Sequence, residues 1–187
     1  MKVAQRGTSF SPPSQGAYVV DRFHQYQGGG GILYYEQSTD APLGFNNSLK
    51  ITVNTADSSI ASSDYYYMRQ SIEGFNCAQL ALGNSGALTF TLSFYVKSSL
   101  TGTFSGCCQN GAANRSYVFE YTINAANTWE RKTVTIVGDT TGTWSTDNTA
   151  CLRVNFDLGM GSGSVSYTHL RAHETSLHLV CRLLLEK

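Results

Sequence analysis

Between residues 18 and 158 apolar and polar side chains alternate in short runs of period two, the mark of strands that bury one face. In the longest run Leu88, Phe90, Leu92, Phe94 and Val96 face one way, and Thr89, Thr91, Ser93, Tyr95 and Lys97 the other. Leu49, Ile51 and Val53 alternate with Ser48, Lys50, Thr52 and Asn54. Tyr117, Phe119, Tyr121 and Ile123 alternate with Val118, Glu120 and Thr122, and Leu152, Val154, Phe156 and Leu158 with Cys151, Arg153, Asn155 and Asp157. Weaker runs predict strands over residues 17–23, 32–37, 65–72, 103–108 and 128–137. Turn residues separate them: Gly28-Gly29-Gly30-Gly31, Asp40-Ala41-Pro42-Leu43-Gly44 and Asn84-Ser85-Gly86. Residues 77–82 read as a helical turn. The glycine run reads as a flexible loop, since it lacks the strand-to-helix context and the Lys-Ser/Thr pair of a phosphate cradle. About nine one-sided strands predict an all-β domain of two antiparallel sheets packed face to face.

Composition agrees with that pattern. Only 14% of the 187 residues are charged, while glycine contributes 18 and tyrosine 11. The Glu, Lys, Ala and Leu that cover the wet faces of long helices are scarce. Thirteen basic residues balance thirteen acidic ones, which removes the electrostatic footprint of a dedicated nucleic-acid binder. No apolar run approaches the roughly 20 residues of a membrane span, so membrane insertion is not expected. The first residues show no apolar h-region, and no signal peptide is predicted from them.

The pattern breaks near Ser164. His169, His173 and His178 lie beyond it, with the Leu-rich run 177–185. Read as a helix, this stretch would place His169, His173 and Glu174 at metal-ligand spacing. A second reading fits more of it. The run from Val165 to Thr175 resembles a translated transposase sequencing adapter, and the run from Leu179 to Lys187 resembles its flow-cell end. Both lie in one frame, separated by a gap that suits a sample index. On this reading natural sequence stops at Gly163 or Ser164, and Met1 reads as an internal methionine of a ragged start. The expected organisation is a segment 1–16, a sandwich over 17–164 that is truncated at both ends, and a tail 165–187 of adapter origin. Removing the tail is then expected to leave stability unchanged, and restoring natural C-terminal strands to raise it.

Catalytic chemistry finds little support. His24 is the one histidine before Ser164 and reads as a surface or satisfied residue. There is no nucleophile elbow, and Glu73, Glu120 and Asp157 are scattered. Cys77, Cys107, Cys108 and Cys151 show no CxxC spacing, so they read as free thiols rather than as a zinc site. Aromatics carry more information. Alternation assigns Phe90, Phe94, Phe119 and Phe156 to the core, and Trp129 to the start of a strand at a sheet edge. Tyr95, with one or two of Tyr65, Tyr66 and Tyr67, falls on polar faces. An outward aromatic on a sheet can stack on a sugar ring while neighbouring polar groups bond its hydroxyls. The alternative is that these tyrosines serve only as strand formers.

With those strands in place the chain resembles the jelly-roll modules of phage tail-fibre and other virion proteins, similar in pattern to carbohydrate-binding modules of the CenC type. The stretches that carry the resemblance include Asp21-Arg22-Phe23, Gln37-Ser38-Thr39-Asp40-Ala41-Pro42 and Gly44-Phe45-Asn46-Asn47-Ser48-Leu49-Lys50. Further on come Gln70-Ser71-Ile72-Glu73-Gly74, Leu92-Ser93-Phe94-Tyr95-Val96-Lys97-Ser98, Asn127-Thr128-Trp129-Glu130 and Arg153-Val154-Asn155-Phe156. In order they span residues 3–158. Tyr95 and Phe23 stand where tryptophan is common in the family. The resemblance implies a jelly-roll β-sandwich without catalytic activity that takes a carbohydrate, such as a host-surface glycan, on a virion fibre where it can trimerise. It implies no organic cofactor; modules of this kind often hold a structural calcium, for which no oxygen-ligand spacing is visible here. A purely structural fibre domain and a binding module of a secreted glycoside hydrolase are the other readings.

The expected sugar face combines Tyr95 and Lys97 from one strand, Arg153, Asn155 and Asp157 from another, and Arg69 from a third. It requires these strands to be neighbours in one sheet. Failing that, the loops at residues 28–31 and 140–148 are the next candidates.

Overall fold

The structure, a computed structural model, describes residues 4–20, 22–163 and 176–181, for the last of these the backbone alone. A two-residue β1 (Ser9–Phe10) leads to β2 (Phe23–Gly28), β3 (Ile32–Ser38), β4 (Ser48–Thr55) and β5 (Tyr65–Glu73). A single turn of helix, α1 (Gly74–Cys77), continues into a 3-10 turn (Ala78–Leu80). Then follow β6 (Phe90–Ser98), β7 (Gly102–Asn110), β8 (Ser116–Ile123), β9 (Glu130–Ile136), β10 (Ala150–Met160) and β11 (Ser176–Cys181). Two antiparallel sheets result, of order β1-β3-β4-β11-β6-β9 and β2-β5-β10-β7-β8. From β2 onward the chain changes sheet at nearly every connection, staying within one sheet only for the β3–β4 and β7–β8 hairpins. This is the expected all-β jelly-roll sandwich.

The core lies between the inner faces that alternation predicts. Phe94 meets Phe156 at 4.9 Å and Tyr121 at 5.0 Å between ring centroids, both edge to face, the geometry favoured by the ring quadrupoles. Leu49, Ile51, Met68, Leu92, Leu152 and Val154 complete it, all with almost no exposure. Two side chains of the inward phase escape it. Leu88 precedes the strand and is 42% exposed, and Tyr117 is equally exposed at the open end of β8.

Residues 17–23 differ from expectation. Only a bridge between Tyr18 and His24 forms there, and the strand runs on through Phe23–Gly28 instead. Val19, Val20 and Phe23 are buried, so the apolar signal is real. It marks a turn tucked under the sandwich, whose backbone bonds itself through Val19 N–H to the Phe23 carbonyl. The helical reading with His169, His173 and Glu174 lies outside the described residues. The backbone of β11 is a strand, and it is the element that joins β4 to β6.

The glycine run is pinned rather than flexible. Gly31 N–H donates to Tyr66 Oη (2.8 Å), Gly30 N–H to Asp57 Oδ2 (3.2 Å), and Tyr66 Oη to Asp57 Oδ2 (2.7 Å). Burial, with the Asp57 carboxylate beside it, pushes the Tyr66 phenol up to about 12. Gly29 has φ +142°, and a Cβ there would run into Tyr66 Oη. Gly29→Ala is therefore expected to cost about 2–3 kcal/mol in urea unfolding, from strain plus a displaced tyrosine. Gly30→Ala, whose Cβ would find ordinary contacts at 3.8 Å or beyond, serves as the mild control.

Candidate functional site

The outward face of the five-stranded sheet carries an ordered set of aromatic and polar side chains. Antiparallel register sets its rows, because residues opposite one another point the same way. One row runs His24, Arg69, Asn155, Cys107 and Val118 across β2, β5, β10, β7 and β8. The next begins Tyr26, Tyr67 and Asp157, and Ser105 joins it through a hydrogen bond to Asp157 (3.0 Å). On the other side stand Ser71, Arg153, Gln109 and Ser116.

Arg69 organises the centre. Its Nε donates to Asn155 Oδ1 (2.8 Å), and Nη2 reaches Gln109 Oε1 and Tyr67 Oη, each at 3.4 Å. Asn155 Nδ2 in turn donates to Gln109 Oε1 (3.1 Å). The guanidinium carbon lies 4.7 Å from the Tyr26 ring centroid and 5.2 Å from that of Tyr67. Tyr26 and Tyr67 stack at 4.9 Å, Tyr65 follows Tyr67 at 6.0 Å, and His24 stands 6.4 Å from Tyr26. Tyr18 closes on His24 at 3.6 Å. Every long polar side chain at the centre is thus held by a neighbour, which lowers the entropy lost when a ligand is bound.

Burial tunes the ionisable groups of this face. It raises the Asp157 carboxyl, with the Ser105 hydroxyl opposing it. Burial also lowers His24, whose Nδ1 faces the Gly16 carbonyl at 3.3 Å, and the cations Arg69, Arg153 and Arg6 lower it further. His24 Nε2 is buried with no hydrogen-bond partner among the described residues. The Cys107 thiol is raised chiefly by burial.

Of the residues expected from sequence, Arg69, Arg153, Asn155 and Asp157 are brought together here. Tyr95 and Lys97 are not. They lie on β6 in the other sheet, where Tyr95 meets Phe45 edge-on at 5.5 Å. Lys97 Nζ pairs with Asp40 Oδ2 at 2.6 Å, and Trp129 Nε1 donates to Asp40 Oδ1 at 2.9 Å. Alternation reveals which way a side chain points along its own strand but not which sheet that strand joins. The tyrosine platform is supplied instead by Tyr65 and Tyr67, with Tyr26 from β2. Sequence reasoning missed Tyr26 and His24 because it ended that strand at Phe23. The period-two run over residues 23–28 carried the signal.

The fallback loops have other roles. Residues 28–31 are tied to Asp57 and Tyr66. Residues 140–148 stand beside a cavity of about 360 Å³ between the sheets, lined by Leu82, Phe90, Tyr117, Ile136 and Trp144 among others. At its rim Arg115 clamps Asp139 with bonds of 2.6 and 2.7 Å, holding that carboxyl well below the usual range. Among the described residues no helix is long and apolar enough to cross a membrane. Nor, among the described residues, does any group of three or more His, Cys, Asp or Glu gather to hold a metal.

No family model matches the chain, and no curated protein matches it in sequence. Solved structures do share its fold. The chain is similar to the enzymatically active domain of tailspike protein 4 of bacteriophage CBA120, with TM-score 0.54 and 15% identity over 85% of its length. It spans 18% of that tailspike chain. An exo-beta-agarase matches with TM-score 0.53 and 10% identity over 97% of this chain, which spans 25% of the agarase. A family 11 carbohydrate-binding module from Clostridium thermocellum, solved with a beta-1,3-1,4-mixed-linked tetrasaccharide, gives TM-score 0.48 and 13% identity over 94% of this chain and 97% of its own. At such identities the first two likenesses, each with a TM-score above 0.5, establish the fold alone, a jelly-roll sandwich.

Proposed function

We propose that this chain is a non-catalytic carbohydrate-binding module whose ligand lies along the outward face of the five-stranded sheet. One observation carries the reading: the tyrosines Tyr26, Tyr65 and Tyr67 adjoin a hydrogen-bonded Arg69–Asn155–Gln109 centre on a single sheet face. The C–H face of a pyranose packs against aromatic rings, which releases water from both. Asn155, Gln109 and the guanidinium groups offer paired donors and acceptors to vicinal hydroxyls. Such faces bury little of a sugar and must replace well-solvated hydroxyls, so single-site affinity is modest. Several copies on one fibre compensate by avidity.

The setting proposed is the tail fibre of a virion, with a host-surface glycan as partner and trimerisation of the fibre presenting the copies. The likeness to a tailspike chain supports this setting. Tail or baseplate genes beside the coding sequence are its test, and a neighbouring glycoside hydrolase domain would replace it with a secreted enzyme.

Calorimetric titration with a panel of soluble oligosaccharides tests the binding face. Tyr67→Ala is expected to weaken binding about tenfold, the worth of one aromatic contact. Tyr95→Ala, on the opposite sheet, should leave it unchanged. The reverse pattern moves the site to the six-stranded sheet, and a chain that binds no sugar is a structural domain.

A further inference from the structure

Three cations converge on the tyrosine-lined face without a carboxylate to meet them. The Arg6 guanidinium lies 4.5 Å from the Tyr18 ring centroid, and Tyr18 packs on His24. His24 is opposite Arg69 in the β2–β5 ladder, Arg69 is opposite Asn155 in the β5–β10 ladder, and Arg153 stands two residues from Asn155 on the same face. The ion pairs among the described residues use Arg22, Lys50, Lys97, Arg115 and Lys132. Arg6, Arg69 and Arg153 make none among those residues. The chain as a whole is neutral, so this is a local excess of positive charge.

The acidic groups of the same face do not offset it. Asp157 is 9% exposed, bonded to Ser105 and raised by burial, which weakens its charge. Glu120 stands on the far strand β8, and Glu73, at the end of β5, is engaged by Arg22 at 3.8 Å. His24 reports the convergence, since after burial the fields of Arg69, Arg153 and Arg6 all disfavour its charged form. Holding like charges together is a cost that folding does not require. A neutral sugar needs one or two planar donors, and the Asn155–Gln109 pair with Arg69 already supplies them. Two more guanidiniums suit a ligand that brings negative charge.

We infer that this face takes an acidic glycan, a saccharide bearing carboxylate or sulfate groups, and that Arg6, Arg69 and Arg153 hold those groups. The inference rests on the carbohydrate-binding reading above and adds the charge of the ligand. Guanidinium forks match carboxylate and sulfate oxygens with two parallel bonds, at about twice the strength of neutral hydrogen bonds. The spacing from Arg6 through Tyr18 and His24 to Arg69 spreads the cations along the face, so a chain with repeated acidic residues meets more than one of them. Nucleic acid also combines rings with negative charge, but the chain lacks the net positive charge that binding to a phosphate backbone exploits.

Matched pairs of ligands test the inference on the full chain: sialyllactose against lactose, oligogalacturonate against its methyl ester, and a sulfated galactan oligosaccharide against its desulfated form. In at least one pair the acidic member should bind about tenfold or more tightly than its neutral partner, with the difference shrinking as salt is raised. The pair that responds distinguishes carboxylate from sulfate. Arg153→Gln, and separately Arg6→Gln at an exposed position, should each weaken the acidic member's binding more than the neutral partner's and so cut that preference. Neutral members binding as tightly as acidic ones, a preference that survives both substitutions, or equal affinity for a short single-stranded thymidine oligonucleotide overturns the inference and leaves sugar binding standing. Failure of every ligand to bind overturns the carbohydrate reading itself, and this inference with it.

Discussion

A chain ended at Gly163 is expected to melt on the order of 10 °C below the 187-residue chain and to self-associate. The reason is the place of β11. Its register pairs it with β4 from Ser176↔Thr52 to Leu179↔Leu49, and with β6 from Leu177↔Ser98 to Cys181↔Phe94. It is thus an interior strand, and without it the six-stranded sheet divides into β1-β3-β4 and β6-β9. Leu49, Ile51, Phe94 and Val96, each 2% exposed or less, flank the gap. Uncovering on the order of 150 Å² of apolar surface costs about 4 kcal/mol at roughly 25 cal/mol per Å². Two unpaired ladder edges also invite strands from other molecules. This outcome is the opposite of the expectation from sequence, where removal of 165–187 leaves stability unchanged. Differential scanning calorimetry of the two chains decides. Equal melting temperatures would show that β11 contributes nothing and would favour an adapter origin for the segment, whereas a marked drop shows that the sandwich needs a strand in that position.

Arg69→Ala should abolish most sugar binding, by on the order of 10- to 100-fold. The guanidinium holds Asn155 and Gln109 in place and lies over both Tyr26 and Tyr67. Its loss frees two amides to rotate and leaves Asn155 Oδ1 without its donor in a residue only 3% exposed. Stability should fall by about 1–2 kcal/mol, the range for a buried polar group left unpaired. Titration of the variant, with its fold checked by circular dichroism, separates the two effects. A variant that binds sugars as the parent does would remove Arg69 from the site.

Much of the site was legible before the fold. Arg153, Asn155 and Asp157 share a face because the run from Cys151 to Leu158 alternates without interruption over those residues, and a strand's pleat leaves no other arrangement. Arg69 followed from the same logic in β5. Tyr65 and Tyr67 point out while Tyr66 points in, and the triplet alone gives no phase. The inward position is settled by Tyr66, 1% exposed, reaching Asp57 and the glycine turn with its hydroxyl. The strand boundary at residues 17–23 was misleading because buried turns and strands share the same apolar composition, and backbone hydrogen bonding, which sequence does not display, is what distinguishes them.

The sequence by itself determined that the chain is an all-β protein, which phase of each clear strand faces inward, and that its outward faces mix tyrosine with charge. Those properties are local: period-two alternation and turn residues act within about ten positions of one another. Which strands become neighbours was decided only in the tertiary structure. Tyr95 and Arg69 look alike from sequence, yet β6 joins the six-stranded sheet and β5 the other, so one face holds the proposed site and the other an Asp40-centred cluster with Lys97 and Trp129. Strand pairing is a contest among long-range ladders with nearly equal backbone hydrogen bonds. Its outcome depends on the packing of both inner faces at once.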